Sequence, residues 1–249
     1  MKPKLSYTIW FSQRTGSTLL CRALESTGIA GKPSEWLSDD NLLQKYRLNS
    51  YAELQQRLWQ LGTTPNSVFG VKTGACNPYF KNLIDTFKQF PSCNFESNNP
   101  IEIWNTAFPN CKHIYMTRRN KIRLAVSWWK AIQTQEWRRK QGQPPVSVDL
   151  EGKYSYEAID HLFAECSMRE AAIQEFFDRG SIIPHTVVYE DFILSYEETI
   201  RSILNYLQLP NVEEVTIAPP TLQQLADDVS ENWVQRFRQE RQQGWQHYW

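Results

Sequence analysis

The chain reads as an α/β protein with a central parallel β-sheet flanked by helices, and three observations predict it. Four short runs rich in β-branched and aromatic residues recur along the 249 residues. Helix-period stretches separate them, the alternation expected of parallel strands joined by right-handed crossovers. No repeat or linker divides the chain, so residues 1–249 are expected to form one domain.

The first strand is YTIWFS (7–12), which stops at a polar, glycine-containing turn and gives way to the helical pattern LLCRALESTG ending at Gly28. SVFGVKT (67–73) and KHIYMTR (112–118) follow as second and third strands, each entered from a turn-like segment, and TVVYEDF (186–192) is the fourth. Helix-period stretches cover about 40–61, 120–140, 155–179 and 195–207. QGQPPVSVDLEGKYS (141–155) carries Gly142 and the Pro144-Pro145 pair, so residues 136–155 are the place to look for a lid. Beyond Leu209 the text turns irregular and ends in a basic, aromatic tail holding Arg236, Arg238 and Arg241, which either closes over a ligand or forms an exposed amphipathic helix.

Composition narrows the function. Lys plus Arg and Asp plus Glu both number 27, so the electrostatic case for wrapping nucleic acid is absent and any anion site is local. Five cysteines without a CxxC pair suggest neither a zinc ribbon nor a disulfide framework, and fit a reducing compartment. No HExxH, clustered Cys/His set or calcium loop asks for a metal. No run approaches the roughly 18 apolar residues of a spanning helix and no signal peptide is evident, so a soluble, cytoplasmic protein is expected. Ten Trp, eleven Tyr and twelve Phe suit stacking on a sugar or base, although core packing is the commoner use.

Two strand ends carry anion-binding chemistry. Ser12-Gln13-Arg14-Thr15-Gly16-Ser17-Thr18-Leu19 sits where a helix begins, so unpaired N–H groups and the positive end of the helix dipole converge there. The lysine of a nucleoside-triphosphate loop is missing, since Ser17 follows Gly16. A simple helix cap at Ser17 or Thr18 is the bland alternative. The third strand ends in Arg118-Arg119, and Ser127 lies eight residues beyond Arg119, about two helical turns along, where both could hold one phosphate.

RTGSTLL after one strand with R-x7-S after another resembles the nucleotide signatures of sulfotransferases, which use 3′-phosphoadenosine 5′-phosphosulfate (PAPS). SQRTGSTLLCRAL, GIAGKPSEWL, FGVKT and RRNKIRLAVSWWKA are most similar to the bacterial trehalose 2-sulfotransferase family, over about residues 6–249. The resemblance implies a P-loop-like sulfotransferase fold in which Arg14, Thr15, Gly16, Ser17, Thr18 and Leu19 bind the 5′-phosphosulfate. Arg119 and Ser127 would bind the 3′-phosphate, and Lys72 would lie near the site. Glu35, which on its own reads as an exposed glutamate capping the next helix, matches the family's proposed catalytic base.

Arg14 would then stabilise the leaving phosphate, with Lys72 or Arg119 as substitutes. The acceptor would be a small molecule with a free hydroxyl, a sugar or glycoside foremost, and a homodimer is the default assembly. Trp36, Trp128 and Trp129 are candidates for stacking on sugar or adenine, and Tyr189 and Glu190 read as architectural. The histidines, His113, His161, His185 and His247, read as packed or solvated. A P-loop kinase and a non-catalytic nucleotide- or sugar-binding descendant are the competing readings.

Overall fold

The computed structural model describes residues 2–93 and 96–245. Strand β1 (Leu5–Phe11) lies inside a four-stranded parallel sheet of order β2-β1-β3-β4, completed by β2 (Val68–Thr73), β3 (Cys111–Thr117) and β4 (His185–Val188). Thr8 is in register with Val71 on one side and His113 on the other. β2 is buried along its whole length, as expected of a strand covered on both faces.

Helices make the outer layers: α1 (Ser17–Ser26), α2 (Leu42–Tyr46), α3 (Tyr51–Gly62), α4 (Tyr79–Phe87), α5 (Pro100–Ala107), α6 (Lys121–Thr134), α7 (Tyr156–Arg179), α8 (Tyr189–Leu194), α9 (Tyr196–Tyr206) and α10 (Asp228–Gln242). The two-residue alternation of β1 sends Trp10 to one face, among residues of α3, α4, α5 and α7, and Tyr7 and Ile9 to the other, among residues of α1 and α9. A third apolar cluster joins α6, α7 and α10 through Leu124, Trp128, Ile159, Trp233 and Phe237.

Much of the aromatic excess is therefore core. The Trp10 ring lies 4.9 Å from Trp104 and 4.6 Å from Phe176. The Trp10 indole N–H donates to His113 Nδ1 at 2.9 Å, and burial pushes that imidazole down to about 4. His113 is a neutral core residue. All five cysteines are free thiols, and burial drives Cys21, Cys111 and Cys166 up to about 12, well away from reactive thiolates.

Several boundaries differ from the sequence expectation for local reasons. The fourth strand stops at Val188, and YEDF opens α8 instead, because Glu190 and Asp191 fall in a first helical turn that favours negative charge. The stretch 40–61 breaks where Arg47 adopts φ 53° and Ser50 caps α3 by accepting from Glu53 N–H. Helix 120–140 ends at Thr134 with Gln135 left-handed. The tail forms α10, capped by the Asp227 carboxylate on Ser230 N–H at 3.0 Å.

Candidate active site

The crossover from β1 runs to one side of the sheet and that from β3 to the other, so a crevice opens beyond their carboxyl ends. The loop from Ser12 to Gly16 fills it. Thr15 Oγ1 donates to the Ser12 carbonyl at 2.8 Å, and Arg14 (φ 64°) and Gly16 (φ 87°) turn the chain into α1. Gly16 is required on two counts: its φ is positive, and a Cβ there would lie 2.5 Å from the Tyr189 ring. No side chain caps α1, so its first N–H groups keep their donor capacity at the crevice. Ser17 and Thr18 are not caps.

Their hydroxyls belong to a different network. Lys72, buried near the end of β2, places Nζ 3.0 Å from Thr18 Oγ1, 3.5 Å from Ser17 Oγ and 2.7 Å from Glu35 Oε1, above the Phe11 ring. Glu35 is held there because Lys72 N–H donates to the Ser34 carbonyl at 3.0 Å, laying segment 31–35 along β2. Gly31 allows the approach: a Cβ on it would come within 2.7 Å of the Gly70 nitrogen. The Glu35 carboxylate remains about half exposed. A half-open carboxylate beside a buried ammonium, next to a row of helix N–H groups, is equipped to take a proton from a hydroxyl while an anion is held alongside.

Arg14 reaches the other way, donating from Nε to Ser127 Oγ at 3.1 Å and from Nη1 to the Trp137 carbonyl at 2.6 Å. Ser127 is thus in contact with Arg14 rather than Arg119. Arg119 is exposed and ion-pairs with Asp191, while its N–H donates to Glu190 Oε2 at 3.0 Å. With Lys121, Phe163 and Arg238 it borders a shallow, open, basic depression. Arg236 instead stacks on Tyr154 and pairs with Glu240, and Arg241 pairs with Asp160.

Trp128 is buried beneath the Arg169 guanidinium, Trp129 donates to the Lys153 carbonyl, and Trp36 donates to the Lys32 carbonyl next to Glu35. Residues 141–149 are largely exposed beyond a base tied by Gln141 N–H to the Thr221 carbonyl and Gln223 N–H to the Arg139 carbonyl. His161 is exposed on α7, His185 stacks on Tyr206, and His247 lies outside the described residues. Among the described residues no three His, Cys, Asp or Glu side chains gather as metal ligands.

Glu170 is the site residue that sequence reading misses. Its buried carboxylate accepts from Ser12 Oγ and Thr117 Oγ1, both at 3.2 Å, and pairs with Lys121 Nζ at 2.5 Å. It therefore ties together the start of the loop, the end of β3 and the start of α6. The signal was present: Glu170 interrupts the apolar stripe Ile159, Leu162, Cys166, Ile173 of α7, and a carboxylate on a buried helix face requires partners.

The sequence model described as Stf0 sulphotransferase matches residues 6–240. The chain belongs to that family. This sulfotransferase is 27% identical over 95% of its length to a trehalose 2-sulfotransferase from Mycolicibacterium smegmatis, of which it covers 96%. It is 25% identical to a second trehalose 2-sulfotransferase, from Mycobacterium tuberculosis, covering 94% of each chain. The crystal structure of a sulfotransferase from Alicyclobacillus acidocaldarius matches 94% of the chain and 92% of its own with a TM-score of 0.51 at 12% identity, a likeness of fold. No helix among the described residues is long and apolar enough to cross a membrane.

Proposed function

We propose that this sulfotransferase takes the sulfuryl group of PAPS and delivers it to a hydroxyl of a carbohydrate, with Glu35 as general base. The observation that carries the reading is Lys72, whose ammonium touches both Glu35 and the Thr18 hydroxyl of the anion loop. It couples the group that would receive the acceptor's proton to the group that would hold the donor. The residues fit an anionic donor, because α1 is uncapped and Arg14 has two neutral partners, a hydroxyl and a carbonyl. PAPS supplies an activated sulfuryl group on a phosphate leaving group.

In this reading the loop N–H groups and Arg14 bind the 5′-phosphosulfate, and Arg119 with Ser127 serves the 3′-phosphate, Arg119 exchanging Asp191 for it. Glu35 orients the acceptor hydroxyl and takes its proton. Lys72 holds the Glu35 carboxylate in place and directs its own charge toward the loop, where negative charge grows on the leaving oxygen. The named activity of both mycobacterial relatives makes trehalose the first acceptor to test.

Thermal unfolding with 3′-phosphoadenosine 5′-phosphate, and separately with ATP and magnesium, tests the donor. A ligand at 100 times its dissociation constant adds about 2.7 kcal/mol. Stabilisation by the bisphosphate and not by ATP, together with PAPS-dependent sulfation of trehalose or another sugar, is the expected result. Stabilisation by ATP alone would replace this reading with the kinase.

A further inference from the structure

Next to Arg119, which the R-x7-S spacing singles out, stands Arg118, and the two arginines are placed very differently. The Arg119 side chain is 60% exposed and paired with Asp191. That of Arg118 is 14% exposed, and its buried Nε has no hydrogen-bond partner. The carboxylate paired with it, Glu190 Oε1, stands 3.5 Å away, and Glu190 also accepts the N–H groups of Arg119 and Asn120. The Arg118 guanidinium lies 4.7 Å above the Tyr189 ring, and that ring is the one packed against Gly16. Arg118 is thus held one aromatic ring from the anion loop.

Arg14 belongs to the same neighbourhood. Burial pulls the affinity of both guanidinium groups for their protons below the ordinary arginine value, and at Arg14 the second cause is repulsion from Arg118. Two neighbouring, largely buried cations, one on neutral partners and one whose Nε faces its paired carboxylate at 3.5 Å without a hydrogen bond, form an arrangement that an oxyanion between them stabilises. A planar fork stacked on an aromatic ring is also the arginine geometry suited to two oxygens of one phosphate or sulfate.

We propose that Arg118 is a donor-binding residue that clamps, with Arg14, one phosphate or sulfate group of the donor. The proposal rests on the donor reading above. Its test is titration calorimetry of wild type, Arg118→Gln, Arg118→Lys and Arg119→Gln with two probes, 3′-phosphoadenosine 5′-phosphate and inorganic sulfate. Arg118→Gln is expected to weaken the bisphosphate at least tenfold and Arg118→Lys three- to tenfold because charge remains without the fork, with Arg119→Gln as the reference for a 3′-phosphate contact. Affinity within twofold of wild type in Arg118→Gln overturns the clamp. Arg118→Lys decides in the same way if the glutamine variant does not fold. Wild type that binds sulfate and not the bisphosphate, with sulfate binding lost in the Arg118 variants, refutes the donor reading and leaves the clamp standing. Wild type that binds neither probe overturns the clamp.

Discussion

Two lysine–glutamate pairs flank the loop after β1, and their chemistry is the same while their surroundings are not. Lys72 and Glu35 meet at 2.7 Å with the lysine buried and the carboxylate half open to solvent. Lys121 and Glu170 meet at 2.5 Å, with side-chain exposures of 27% and 11%, and the carboxylate also satisfies Ser12 and Thr117. In the second pair the oxygens are spent on the fold. In the first, Glu35 keeps a solvent-facing surface that a hydroxyl can reach. Exposure of the acid, rather than the presence of the ion pair, separates a group available for reaction from one that fastens three elements together.

Replacing each acid sharpens that contrast. Glu35→Gln preserves an acceptor for Lys72 and removes the proposed base, so sulfation turnover is expected to fall by about 10²–10⁴ while the melting temperature stays within a few degrees of wild type. A turnover drop of less than threefold would remove Glu35 from the reaction. Glu170→Ala leaves Lys121 without its carboxylate, but Lys121 is 27% exposed and keeps the Thr117 hydroxyl and the Arg118 carbonyl. The loss is therefore expected to stay below about 3–5 kcal/mol, the cost of breaking a fully buried pair, and is readable as a lowered urea midpoint at unchanged slope. Glu170→Gln retains the hydrogen bonds and should lose less. Equal losses in the two variants would show that the charge contributes nothing.

The same contrast has a pH signature. His113, buried without a carboxylate, is held at about 4 by burial, against an ordinary value of about 6.5. Between those values the unfolded chain binds the proton and the folded chain does not, so stability falls as pH drops through this window, by roughly 2–3 kcal/mol at pH 4.5. His113→Gln should flatten that part of the stability profile, measured by urea unfolding between pH 7 and 4.5. The smallest effect belongs to Thr117→Val, which removes a hydroxyl that Glu170 and Lys121 share and should cost about 1 kcal/mol. A neutral result there would leave the tie through Glu170 to Ser12 and Lys121 alone.

The sheet was legible because strand composition and helix period alternate cleanly, and the loop because a glycine and hydroxyl residues stand at a strand end. Glu35 became a candidate only through resemblance, since one glutamate after Pro33 and Ser34 carries no local mark. What joins it to the loop is the register of β1 and β2, which sets Lys72 opposite Ile9. That pairing lies between segments far apart in the chain, and no short-range pattern encodes it. Helix α5, by contrast, has a local signal: Asn99 caps it and Pro100 opens it, as their types predict. Arg118 was hidden by its neighbour. Adjacent residues past a strand end point to different sides, and spacing to Ser127 selected Arg119, whereas the contact with Ser127 comes from Arg14.

Gly16 owes its size to Tyr189, a residue from the last βα unit pressed against the first. During synthesis the loop leaves the ribosome early, with every one of its own residues in place, and then lacks the wall that gives it shape until β4 and α8 have been made. A chain released before that point would carry the full loop sequence without a finished cradle. The earliest part of the site to be translated is among the last to be completed.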